Sequence, residues 1–169
     1  MNKNKLIQIA VLLLIIVLFV YIALGLRENS AVAGVGEAGY DFELEDLDGK
    51  MHQLSDYKGR VVVINIFATW CEPCVDEAPE LEAFEKEYKN EVKLLIIDKG
   101  EPKNRVAKFI EKYKTTTTYL FDFDTQVSKK YGVIGQPETF ILDKEGIIRR
   151  HIIGPVNKEM LAEAIQPWK

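Results

Sequence analysis

The chain has 169 residues, 47% of them apolar and 28% charged, which is enough to bury one sizeable core and short for two domains. Its 22 basic and 26 acidic residues give a formal charge of −4 with no cluster of Lys or Arg, which argues against a nucleic-acid partner. Only two cysteines are present, Cys71 and Cys74.

Residues 6–26, LIQIAVLLLIIVLFVYIALGL, carry no charge. As a helix rising about 1.5 Å per residue, such a segment crosses a hydrocarbon core of roughly 30 Å, so one transmembrane anchor is expected here. Lys3 and Lys5 precede it, whereas Arg27 is followed at once by Glu28. The positive-inside bias then leaves residues 1–5 as a cytoplasmic tail and puts the rest outside, as in a single-pass signal-anchor protein of the cell membrane. A cleaved signal peptide competes, because Ala31-Val32-Ala33 has the small-x-small form of a cleavage site. Against it, the apolar run exceeds the roughly 7 to 15 residues of a signal core. On either reading the remainder leaves the cytoplasm, and dithiols there can be oxidised.

Residues 27–39 are rich in Gly and Ala without apolar periodicity and read as a flexible linker, so the folded domain is expected over 40–169. The stretch YDFELEDLDGKMHQL alternates through Phe42 and Leu44, turns at Asp48-Gly49 and resumes through Met51 and Leu54, the pattern of a β-hairpin. The continuous β-branched run VVVINIF, Val61 to Phe67, predicts a strand buried on both faces. Helices over 74–88, 103–113 and 125–131 then alternate with strands over 92–97 and 118–123, a βαβ rhythm. The rhythm breaks at ETFILD and IIRRHII, because Lys144-Glu145-Gly146 is too short for a crossover helix and predicts an antiparallel hairpin. A closing helix is expected over 157–165, and the TTTT tract, Thr115 to Thr118, reads as a β-prone loop edge.

Cys71 falls where the buried strand ends and a helix begins, and Pro73 suits a first helical turn, where its missing N–H needs no partner. Free backbone N–H groups and the helix dipole at that place favour thiolate over thiol, and the thiolate is the nucleophile of disulfide exchange. Cys71 is therefore the expected attacking sulfur. Cys74, one turn further in, is placed to resolve a mixed disulfide formed on Cys71.

In the helix that follows, Ala78, Leu81, Phe84 and Tyr88 form one apolar stripe with Cys74, and Glu77 falls inside it. Burial disfavours a charged carboxylate and raises its pKa, so Glu77 is the candidate to take the Cys74 proton. The bland alternative is a glutamate at the helix shoulder that snorkels to water. Pro79, inside the same helix, predicts a kink beyond the active turn, unless the helix starts later. Glu72, between the cysteines, opposes thiolate formation at Cys71 and points toward a reductant rather than a strong oxidant. Trp70 is a candidate for the surface that a substrate meets.

Zinc sites also use C-x-x-C, but two further ligands would have to come from His52 and His151, which lack finger spacing. A structural staple is equally weak, since so short a loop constrains little. No metal and no cofactor are expected. Two readings stay beside the reductase: an extracytoplasmic copper or zinc carrier using the cysteine pair, and a disulfide oxidant or isomerase.

Two motifs together, ATWCEPCVDEAPE and YGVIGQPETFILDKEGIIRRHIIG, resemble the membrane-anchored thioredoxin-like proteins of the TlpA, ResA and CcmG (DsbE) type over most of residues 37–166. The resemblance implies an α/β, thioredoxin-like fold with an N-terminal β-hairpin and a helix-strand insertion at Lys103 to Phe123, preceded by one transmembrane helix. It also implies a redox-active Cys71–Cys74 disulfide, with Glu77 as the acidic residue after the second cysteine. Pro137 would be a cis-proline facing the cysteines, with Gln136 and Glu138 beside it at the substrate site. CEPC resembles the ResA branch and GVIGQPETF the CcmG branch, with Ile134 in place of an aromatic. The implied activity is protein-disulfide reduction, on apocytochrome c during cytochrome c maturation. Electrons would come from a membrane thiol carrier of the CcdA or DsbD kind.

Overall fold

The computed structural model describes residues 8–9, 11–21 and 33–169. Residues 8–9 and 11–21 are helical. No helix among the described residues is long and apolar enough to cross a membrane. The span expected over 6–26 lies partly, and the tail over 1–5 wholly, outside the described residues.

Five strands form one mixed sheet: β3 (Val61–Phe67), β4 (Val92–Asp98), β5 (Thr118–Phe121), β6 (Glu138–Leu142) and β7 (Ile148–Ile153). Their order is β5-β4-β3-β6-β7, with β3, β4 and β5 parallel and β6 and β7 antiparallel to their neighbours. The β-branched run of β3 takes the centre because it is buried at every position. Its alternate residues serve two cores. Val61, Val63 and Phe67 join one with Leu81 and Phe84, while Val62, Ile64 and Ile66 join another with Phe140 and Leu142. Helices α1 (Glu72–Tyr88), α2 (Lys103–Tyr113), α3 (Gln126–Lys130) and α4 (Lys158–Ile165) complete the domain.

The first hairpin, β1 (Glu43–Glu45) with β2 (Met51–Gln53), stands apart as a two-stranded sheet. Asp46 fixes its turn by accepting the N–H groups of Asp48 and Lys50. His52 faces inward from this hairpin, its ring between the Tyr57 hydroxyl and the Asp46 carboxylate.

Several boundaries differ from the sequence expectation. The linker proposed for 27–39 gives way before Tyr40: Gly36 N–H donates to the Ile148 carbonyl, Ile148 N–H to the Glu37 carbonyl and Gly39 N–H to the Gly146 carbonyl. Backbone pairing of this kind needs no apolar pattern, so composition did not reveal it. Gly39 gives room there, since a Cβ would meet Leu142 Cδ2 at 2.5 Å and the Tyr131 hydroxyl at 2.9 Å and those side chains would have to shift. Residues 27–32 lie outside the described residues. Helix α1 begins at Glu72 rather than Cys74 and runs through Pro79, which removes the later start as an alternative. The strand expected over 118–123 ends at Phe121, and α3 starts after Thr125, which takes a left-handed φ of 59°.

Candidate active site

Cys71 is the N-cap of α1, and its sulfur accepts the Cys74 N–H at 3.3 Å. This is the position where a helix leaves its first N–H groups without partners, so negative charge on that sulfur is favoured. The two cysteines are joined in a disulfide. Cys71 retains 6% exposure at the surface, whereas Cys74 is fully buried. Of the two, Cys71 therefore lies nearer the surface. Glu72 and Pro73 between them are exposed.

The loop before β6 lies against this pair. The Gln136–Pro137 peptide is cis, and the Gln136 carbonyl oxygen is 3.5 Å from Cys71 Sγ. Pro137 is buried and Gln136 half-buried. Glu138 points inward: one carboxylate oxygen accepts the N–H groups of Ile134 and Gly135, and the other pairs with His151 Nε2 at 2.6 Å. It shapes the proline loop from within, and with 1% exposure it offers a substrate no direct carboxylate contact. Trp70, 66% exposed, and Ile134, 91% exposed, are the large apolar side chains exposed on the two loops that carry Cys71 and Pro137.

Glu77, one helical turn beyond Cys74, is 2% exposed and does not reach water. Its Oε1 accepts from Asn65 Nδ2 at 2.9 Å and its Oε2 from the Val156 N–H at 2.9 Å. Burial lifts its pKa from 4.5 to about 7, against the downward pull of those two donors. Asn65 lies on β3 and also donates to Thr139 Oγ1 of β6 at 3.1 Å. A second acidic group supports the loop in front of the cysteines. Glu101 accepts the N–H and hydroxyl of Thr69, and it pairs with Arg105. Beneath it, burial, with the nearby Glu101 and Asp122 carboxylates adding to it, lifts Asp98 to about 7.

Trp70, Cys71, Cys74, Glu77, Gln136, Pro137 and Glu138 thus fall in one neighbourhood or on its rim. Asn65, Thr139, Glu101 and the Val156 N–H were not singled out. For Asn65 a signal existed: it is a lone amide in an otherwise apolar strand, on the same face as Val61, Val63 and Phe67. The Val156 N–H left none, because backbone donors carry no sequence mark. Among the described residues no group of three or more His, Cys, Asp or Glu is gathered as metal ligands.

A sulfur at a helix mouth, bonded to a buried partner and backed by a carboxyl that titrates near neutrality, can exchange one disulfide for another. On a thioredoxin-like mixed sheet that chemistry defines the class: thiol-disulfide oxidoreductases. The model of the AhpC/TSA family matches residues 35–151, and the chain belongs to that family, in its TlpA, ResA and CcmG (DsbE) group. The thiol-disulfide oxidoreductase ResA of Geobacillus thermodenitrificans (strain NG80-2) is 38% identical over 143 residues, 84% of this chain and 82% of its own length. The ResA of Bacillus thuringiensis subsp. konkukian (strain 97-27) is 32% identical over 169 residues, 98% of each chain. A Chlorobium tepidum protein provisionally assigned as thiol:disulfide interchange protein DsbE superposes with a TM-score of 0.74 at 28% identity, covering 80% of this chain and 97% of its own. The chain is a thiol-disulfide oxidoreductase.

Proposed function

We propose that this protein is an extracytoplasmic protein-disulfide reductase, held at the cell membrane by residues 6–26 with its N-terminus in the cytoplasm. The Cys71 thiolate attacks one sulfur of a substrate disulfide, forming a mixed disulfide and releasing the other substrate sulfur as a thiolate. Cys74 passes its proton to Glu77 and attacks Cys71; the bond to the substrate breaks, and its electron pair leaves on the substrate sulfur. The products are a dithiol substrate and the Cys71–Cys74 disulfide. A membrane thiol carrier of the CcdA or DsbD kind then returns the electrons.

The observation that carries this reading is Glu77, a carboxyl buried one turn behind the resolving cysteine with a pKa of about 7. A general base works best when its pKa lies near the working pH. Glu72 beside Cys71 adds support for reduction, because a second negative charge weakens the thiolate stabilisation on which strong oxidants depend. Trp70 and the backbone of Gln136 and Pro137 form the substrate surface, with Glu138 holding that loop in place. The names of the ResA and DsbE relatives favour a substrate of cytochrome c maturation, an apocytochrome c segment whose C-x-x-C-H cysteines have become oxidised.

Trapping tests the proposal. Cys74→Ser leaves the mixed disulfide on Cys71 without a resolving sulfur, so apocytochrome c should be recovered bound to it from the cell envelope. Recovery of only other proteins would overturn the substrate, and failure of the reduced wild-type chain to reduce an apocytochrome c disulfide in vitro would overturn the direction.

A further inference from the structure

The polar cluster around Glu77 is one partner short. Asn65 is fully buried at the centre of β3, and its amide protons go to Glu77 Oε1 and Thr139 Oγ1. Its carbonyl oxygen, Oδ1, is buried and receives no hydrogen bond from the described residues. A buried carbonyl without a donor is rare in folded proteins and calls for an explanation of its own.

The two ends of the amide match the two forms of Glu77. A carboxylate can only accept, and Nδ2 serves it. A carboxylic acid has one O–H to donate, and Oδ1 would serve that. Half a turn about the last side-chain bond exchanges the two ends in place. The Thr139 hydroxyl can follow, because it accepts from Nδ2 in one arrangement and can rotate to donate to Oδ1 in the other. The remaining groups facing Glu77 are Cys74 on its own helix, the Val156 N–H from the loop before α4 and, across the core, the Tyr119 phenol of β5. Burial raises Tyr119 to about 12, so it stays neutral as Glu77 titrates.

We propose that Asn65 is a positioning residue whose side-chain amide turns over as Glu77 gains and loses the resolving proton, giving its N–H to the carboxylate and its carbonyl to the acid. The cycle balances within the site. The proton leaves Cys74 Sγ for Glu77, the new O–H is taken up by Oδ1, and the reverse turn follows when the disulfide is reduced again and Glu77 returns the proton to the leaving Cys74 thiolate. This inference rests on the reading of Glu77 as the base for Cys74.

The experiment is NMR of the oxidised chain labelled at Asn and Glu side chains, titrated from about pH 5 to pH 9, a range that spans the Glu77 value. Contacts from the Asn65 Nδ2 protons to Thr139 should be present above the Glu77 midpoint and lost below it, with one shared midpoint. Contacts that persist unchanged across the titration would overturn the proposal. In a second measurement, Asn65→Leu should raise the Glu77 midpoint by about one pH unit and slow release of a mixed disulfide at neutral pH about tenfold, with recovery in alkali. A midpoint left unchanged in Asn65→Leu would overturn the contact on which the proposal stands, because the Asn65 N–H lowers the Glu77 value; the wild-type titration tests the turn itself. Should Asn65→Leu not fold, the wild-type titration decides alone. If instead Glu77→Gln leaves release unchanged, the reading of Glu77 has failed; if Glu77→Gln slows release while the amide stays fixed, only the part given to Asn65 has failed.

Discussion

Helix α1 buries two glutamates five residues apart, Glu77 at 2% exposure and Glu82 at 7%, and the fold drives them in opposite directions. Burial raises both. At Glu77 it meets only the Val156 N–H and the Asn65 amide and wins, so the carboxyl rests near neutrality. At Glu82 it is outweighed by the Thr116 N–H and hydroxyl, the Lys86 ammonium and the Thr117 hydroxyl, and the pKa falls below its ordinary value. The tract Thr115 to Thr118 that looked like a loop edge is in part a cradle for a carboxylate. Burial alone therefore does not make a base; the number of donors decides whether a buried carboxyl exchanges protons or merely holds two elements together.

That contrast can be broken first by chemistry. Glu77→Gln should slow resolution of a mixed disulfide on Cys71 at least about a hundredfold at neutral pH, the usual span for a lost general base. Glu82→Gln should leave it unchanged, and stopped-flow release of a labelled peptide thiol reads both. A comparable loss in both variants would mean that Glu77 acts through the packing of α1 rather than through its proton.

The pH dependence of stability sharpens the contrast, because the signs are opposite. Glu77 is raised on folding, so the native state keeps a proton that the unfolded chain has lost. Stability from this group is complete below the ordinary value of 4.5 and falls as pH rises toward about 7. The loss is on the order of 3 kcal/mol, measured as the difference between wild type and Glu77→Gln in urea unfolding. Glu82 is lowered, so its contribution is present above its ordinary pKa and disappears in acid as the folded-state carboxylate is protonated. Asp98 adds a loss of the same sign as Glu77, which is why the variant difference, and not the raw curve, carries the test.

The smallest effect falls on Glu82 itself. Glu82→Gln keeps one acceptor oxygen for the Thr116 and Thr117 donors and loses the charge beside Lys86, so it should destabilise the fold by about 1–3 kcal/mol above pH 6. The urea midpoint would report it, and the redox titration of the cysteine pair should not move.

Much of the frame was legible in the residues. The run Val61 to Phe67 could be recognised as a buried strand because β-branched side chains without alternation suit a strand covered on both faces. The turn at Asp48-Gly49 and the short Lys144-Glu145-Gly146 connection announced hairpins by their length and chemistry. Cys71 at the strand-to-helix junction also fixed where the site would be. Less legible was the start of α1: the Cys71 sulfur itself caps the helix, and capping by sulfur has no sequence signature as strong as Ser or Asp. Glu138 kept its place beside the proline but turned inward to His151, a partner 13 residues away on the neighbouring strand that only the β6–β7 register brings near.

The sequence by itself determined the elements, the spacing of the two sulfurs and the presence of one carboxyl in an apolar helical stripe, because periodicity and turn chemistry act over a few residues. The tertiary structure alone decided which donors meet that carboxyl. Asn65, Thr139 and the Val156 N–H come from three separate segments, and a pKa depends on distance and burial in space rather than on order along the chain.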